Sequence, residues 1–364
     1  MASNNVASLN TLTSLRFVFA FFVFLSHLTL VEFPEGKGLN LPAVFSEGFI
    51  GVSFFFILSG FILTHVYREQ FSNSAEMKSV KSFLTKRFAR IYPLYLLTMV
   101  LSIPLYATNF VDDPLRYAGI FGFDMAMLQS IIPIEIVYFS FNSPGWSIST
   151  EFFFYFIFPF FLPLVLKVNL RNALLVIAFV LLAYFSLVAI FPSNLHHSQL
   201  YISPIFRVLD FFIGIILYLL RSYILPFDRT DKLIQIMQPL SILMLALFII
   251  FHSQVDYVYR YASYYWLPMS FVILSFSFDS GVLGRILAGR VFVYFGEISF
   301  GFYLFHWLVI KYLNLASYSN SLSVNIALVF GITCVLSIVS YELYEKRCRR
   351  MINEIFSVKK SLES

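Results

Sequence analysis

LTSLRFVFAFFVFLSHLTLV, residues 12–31, carries one formal charge, Arg16, and one histidine, His27, in twenty positions. A helix needs about 20 apolar residues to cross the hydrocarbon core of a bilayer, so this stretch is long enough to span. It is too long for the core of a signal peptide, and no small-residue cleavage site follows it, so it stays as the first span. Similar runs recur at 48–67, 88–107, 147–166, 173–191, 205–220, 233–251, 262–278, 292–313 and 323–344. Together they predict an all-α fold, a polytopic membrane bundle of about ten transmembrane helices. The stretch 118–139 is also apolar, but Asp124, Gln129, Pro133 and Glu135 interrupt it. It reads as a re-entrant or interfacial segment, with an eleventh span as the alternative.

Composition agrees. Of the 364 residues 59% are hydrophobic and only 12% charged, against about 25% charged in an ordinary soluble domain. The net charge of +5 would suit nucleic acid, but the basic residues sit in short clusters between apolar runs, as the positive-inside rule requires. On the ten-span reading, nineteen Lys and Arg fall on one side and four, Lys37, Arg116, Arg260 and Lys311, on the other. That split puts both termini in the cytoplasm of a cell (inner or plasma) membrane, with lipid and not nucleic acid as partner. With no internal repeat or low-complexity linker, residues 1–346 form one transmembrane domain and 347–364 a basic cytoplasmic tail. Cys334 and Cys348 stand fourteen positions apart, about 21 Å on one helix, beyond disulfide reach.

Ionisable groups inside spans are costly, which makes each a candidate for function. Arg16 and His27 lie three turns and 20° apart on one helix, so they share a face about 16 Å long; snorkelling of Arg16 and an interfacial His27 is the plainer alternative. In LTKRFARIYP, Arg87 and Arg90 are three apart at the cytoplasmic mouth of the third span. Two guanidinium forks there suit the phosphates of a nucleotide-bearing donor such as coenzyme A, or simply anchor the topology. NSPGWSISTEFFFYFIFP opens the fourth span: Ser149 is the expected N-cap, and Glu151 the first-turn carboxylate, at the depth expected for His27. A carboxylate that orients an imidazole serves general-base or nucleophilic chemistry. Trp146 suits packing against an acyl chain or sugar, or an interfacial belt. His306, nine residues after Glu297, reads as a supporting site residue or a satisfied interior histidine. Gly51, Ser59 and Gly60 are small residues for close helix packing. His196 and His197 lack acidic or cysteine neighbours, and no metal site is expected.

Five segments, in order, resemble the acyltransferase 3 family of integral membrane proteins: SLRFVFAFFVFLSH, GVSFFFILSGF, KRFARIYPLY, PGWSISTEFFFYFIFP and FGEISFGFYLFH. The resemblance implies a ten-span transferase moving acetyl or another short acyl group from acyl-coenzyme A, commonly acetyl-CoA, to a hydroxyl of a cell-surface or lipid-linked sugar. Other members act on lipids, peptidoglycan or glycosylated metabolites. It also implies that His27 and Arg16 are essential, that Arg87 and Arg90 belong to the donor side, and that Trp146 and Glu151 match the segment opening the fourth span. Many relatives carry an acidic residue where this chain has Ser53, and some add an extracytoplasmic hydrolase-like domain, which this chain is expected to work without. On this reading His27 activates the acceptor or is itself acylated, with Glu151 orienting or charge-balancing the ring. A rival is a transporter or flippase of a lipid-linked glycan; neither an internal repeat nor paired broken helices, the usual pointers to alternating access, is visible for it. A non-catalytic scaffold would leave the motifs without a purpose.

Overall fold

The computed structural model describes residues 9–29, 43–224, 230–313 and 322–362, and every regular element within them is helical. The long helices are α1 (Asn10–Leu28), α2 (Ile50–Tyr67), α3 (Met77–Ser102), α4 (Gly145–Leu166), α5 (Leu170–Ile190), α6 (Pro204–Ile224), α7 (Thr230–Ile250), α8 (Ser263–Phe276), α9 (Arg290–Leu313), α10 (Leu322–Ser340) and α11 (Lys346–Leu362). Each predicted span coincides with one of the first ten. Residues 30 and 31 of the first lie outside the described residues.

Among the described residues seven helices are long and apolar enough to cross a membrane. An eighth is added if Ser193–Ile202 and Pro204–Tyr223, bent by 45° at their junction, form one span. This is fewer than the ten predicted, and the shortfall lies in α5, α6 and α8. α5 itself runs 21 residues, of which Leu175–Ile190 count as apolar helix among the described residues, and the 14 residues of α8 rise only about 21 Å against a hydrocarbon core of about 30 Å. Hydropathy sees apolar residues but not where a helix begins, bends or stops. The stretch 118–139 breaks into a helix Pro114–Met125, a turn of 3-10 helix at Gln129–Ile131 and a short helix Glu135–Tyr138, none of them of spanning length. The chain is an all-α, multi-pass membrane protein.

Two compact units divide it, one of Met1–Phe22, Phe49–Ala75 and Ile157–Glu297, the other of Val23–Gly48, Glu76–Phe156 and Ile298–Ser364. In the first, α2 and α6 meet backbone to backbone. A Cβ on Gly60 would overlap the Phe211 carbonyl, and one on Gly214 would overlap the Ile57 carbonyl, so glycine at both points sets the approach, as small residues do between membrane helices. The start of α1 is fixed by Asp279, whose carboxylate accepts from the backbone N–H of Thr11 at 3.0 Å and of Asn10 at 3.2 Å, and from Thr11 Oγ at 2.7 Å. Those N–H groups have no partner within the helix, and a carboxylate also complements the positive end of its dipole. In the same unit Arg207 and Asp210, both 0% exposed, lie 3.5 Å apart on α6.

In the second unit α11 continues from α10 through a π-helical turn at Tyr341–Glu345, and the Tyr344 hydroxyl donates to the carbonyl of Pro93 on α3 at 3.3 Å. The residues that join Pro114–Met125 to α4 are held by a buried polar cluster. Tyr95 donates to the Asp124 carbonyl at 2.8 Å, Gln129 Nε2 donates to the Tyr95 hydroxyl at 2.7 Å, and Ser140 donates to the Asp124 carboxylate at 2.7 Å. Met127 and Phe141 flank this cluster with φ of 54° and 51°, a left-handed conformation that costs non-glycine residues energy and needs such surrounding support.

Candidate active site

Helix α4 starts at Gly145, five residues earlier than an N-cap at Ser149 would place it. Gly145 N–H already bonds the Asn142 carbonyl at 2.7 Å, and Pro144, lacking an N–H, costs nothing at a helix start. Ser149 instead donates to the Met127 carbonyl at 2.7 Å and lies 2.8 Å from Ser130 Oγ. Glu151 therefore sits in the second turn of α4, and no acidic residue occupies the first.

His27 and His306 come together. Nδ1 of His27 lies 2.7 Å from Nε2 of His306, and the two rings, with centroids 5.0 Å apart, are within 15° of parallel. The centroid separation exceeds the N–N distance by no more than the two ring radii, so the rings meet end to end in nearly one plane. That is the geometry of a straight N–H···N hydrogen bond. His306 is fully buried, and its Nδ1 lies 3.1 Å from the carbonyl of Phe302, one turn earlier on α9. Trp307 lies across His27 at 5.1 Å and 65°, and the Lys311 ammonium sits 4.7 Å above Trp307. His27 itself is half-buried, and no protein group among the described residues bonds its Nε2.

Arg87 and Arg90 lie with Glu151. Both are half-buried, and together with Glu151 they act electrostatically on the hydroxyl of Tyr155. That hydroxyl donates to Glu151 Oε1 at 2.7 Å. Glu151 also acts on the Tyr303 hydroxyl, which is 2.8 Å from Ser147 Oγ. The Tyr303 ring in turn lies 5.9 Å from that of His306. The structure thus groups Arg87, Arg90, Glu151 and Tyr155, and separately His27, His306 and Trp307, with Tyr303 bordering both. Glu151 was expected to orient His27, but the hydrogen bond of the His27 ring goes to His306. Trp146 is buried at 4% exposure. Arg16 is half-buried on the same helix as His27, eleven residues before it. Tyr155 and Tyr303 were missed in the sequence, although each stands one helical turn from a chosen residue, Glu151 and His306 respectively.

Neither His196, whose Nε2 lies 2.9 Å from the Phe191 carbonyl, nor any group of three or more candidate ligands among the described residues forms a metal centre.

A family model described as an acyltransferase domain matches residues 9–342. The chain belongs to the acyltransferase 3 family. Acyltransferase MdmB of Streptomyces mycarofaciens is 30% identical over 84% of this chain and 80% of its own length. Peptidoglycan O-acetyltransferase OatA of Listeria monocytogenes is 27% identical over 72% of this chain, and the putative peptidoglycan O-acetyltransferase YrhL of Bacillus subtilis is 26% identical over 83%. The chain spans about half the length of these last two, 45% and 50%. No solved structure matches. The protein is a membrane acyltransferase.

Proposed function

We propose that the protein transfers an acetyl or other short acyl group from an acyl-coenzyme A thioester to a hydroxyl of a cell-surface or lipid-linked sugar. One observation carries this reading: a half-buried imidazole whose Nδ1 is engaged by a second histidine and whose Nε2, among the described residues, is left for a reacting group. In the reaction Nε2 takes the proton of the acceptor hydroxyl while its oxygen bonds to the thioester carbonyl carbon. The C–S bond breaks, and the leaving sulfur takes the proton back, giving an ester and free coenzyme A. Imidazole suits both transfers because it titrates near neutrality in water.

Arg87 and Arg90 hold the donor phosphates by paired charge-assisted bonds, and Glu151 with Tyr155 keeps the two forks oriented. Trp146 closes the site beside the acyl group. Sugar acceptors are favoured by the names of the two peptidoglycan O-acetyltransferases. On the ten-span count the charge split favours a cytoplasmic donor side, with both termini in the cytoplasm and the protein in the cell membrane. The test compares glycan acylation by mass spectrometry in cells with and without the gene, then supplies the purified protein with labelled acyl-coenzyme A and the glycan so identified. Acylated glycan that depends on both gene and donor is the expected result. Identical glycans in both strains, with no labelled ester formed in vitro, would overturn the reading.

A further inference from the structure

We propose that His306 is a positioning residue that fixes His27 in one tautomer, with the proton on Nδ1 and the lone pair on Nε2. The inference rests on the acyl-transfer reading and deepens it. It follows from what each atom is able to do. The Phe302 carbonyl only accepts, so its contact with His306 Nδ1 at 3.1 Å puts the His306 proton on Nδ1. Nε2 of a neutral His306 is then an acceptor. The 2.7 Å contact with His27 Nδ1 is a hydrogen bond only if His27 donates. In the other tautomer of His27, two lone pairs would face each other across that distance.

The supporting ring cannot easily move. His306 is fully buried, with the Phe24 ring edge-on to it at 6.2 Å and 85° and Tyr303 beside it at 5.9 Å. His306 therefore does for His27 what a carboxylate does in a triad, as a neutral acceptor in an apolar interior where a second charge would be costly. When His27 takes the acceptor proton, its Nδ1–H already points at a lone pair, and the new positive charge is shared with the second ring. His306 touches neither donor nor acceptor in this scheme.

The experiment uses full-length protein in lipid nanodiscs with labelled acyl-coenzyme A, and measures kcat and donor KM separately. His306→Phe should lower kcat by about 100-fold, the cost of a misplaced catalytic group, with donor KM within about twofold, because the donor phosphates are held elsewhere. His306→Gln, whose amide oxygen can accept from Nδ1–H, should recover part of that loss, which a merely space-filling role would not predict. Solid-state NMR of 15N-histidine protein should show His27 protonated at Nδ1 and bare at Nε2. Wild-type kcat in His306→Phe beside a dead His27→Ala would overturn the positioning role and leave the transfer reading standing. Full activity in both would overturn both. If His306→Phe does not insert, the wild-type spectrum decides, and a proton on His27 Nε2 overturns the proposal.

Discussion

Two regions bury polar side chains among apolar helices, and they are finished differently. In the first unit Arg207 and Asp210 are sealed at 0% exposure. Arg207 donates to the Tyr261 carbonyl at 2.6 Å and to Ser53 Oγ at 2.9 Å, with the Phe56 ring 5.1 Å from its guanidinium. Asp210 accepts from Trp266 Nε1 at 3.1 Å. In the second unit the His27–His306 pair has one engaged end and, among the described residues, one open end. A buried charge closed in by protein is an element of structure, and a lone pair left open is an element of chemistry. The Arg207 site also accounts for Ser53, where an acidic residue was the expected family feature: Asp210, one turn along α6, supplies the counter-charge that position 53 does not.

The sharpest way to break this contrast is to remove one member from each region. His27→Ala should reduce acyl transfer by about 10²–10⁴-fold, the usual contribution of a positioned general base, while the yield of inserted protein and the donor affinity stay normal. His27→Gln should be nearly as damaging, since an amide cannot take the proton. Arg207→Ala should do the reverse. Stripping one partner from a buried pair costs about 3–5 kcal/mol, so folded yield and thermal midpoint should collapse while kcat per folded molecule survives. If Arg207→Ala instead folds normally and loses kcat, the first unit holds chemistry too and the contrast fails.

The fold class was legible because apolar runs of spanning length repeat along nearly the whole chain, and solvent chemistry alone dictates helices for them. Where those helices start and bend was less legible. Ser149 resembles an N-cap, but Pro144 and Gly145 start α4 earlier and free Ser149 to bond Met127 and Ser130. Arg16, His27, Arg87 and Arg90 were visible through helical spacing. The partner of His27 was not, because His306 lies 279 residues away and no local pattern links the two. Asp210 was within reach of the same spacing argument, three residues from an intramembrane arginine.

A smaller effect is expected on the donor side. On the proposed donor reading Arg87→Ala and Arg90→Ala each remove charge-assisted bonds worth about 1.5–3 kcal/mol, so donor KM should rise by about ten- to a hundredfold with acceptor KM unchanged. Arg→Lys should restore only part, since an ammonium lacks the planar fork. Titrating each variant with the acyl-coenzyme A donor checks this. Unchanged donor affinity in both alanine variants would make the pair a topology anchor and move the donor site away from Glu151 and Tyr155.

The smallest expected effect concerns Asp124, a third buried polar group, which sharpens the contrast because it lies outside the spanning helices. Burial raises its pKa from 3.8 to about 8, and the hydrogen bond from Ser140 only partly offsets this. The folded protein therefore holds a proton here that the unfolded chain gives up at lower pH. The stabilisation is full below the unfolded value and is lost progressively as pH rises from about 4 to about 8. The measurement is the thermal midpoint in nanodiscs at several pH values across that window. The wild-type midpoint should fall as pH rises, and Asp124→Asn, which keeps the shape without the charge, should flatten the slope while leaving kcat at pH 7 close to wild type. An Asn variant with an unchanged slope would mean that Asp124 is ionised in the folded protein. An Asn variant with normal stability but lost transfer would give this cluster, like His27, an open end.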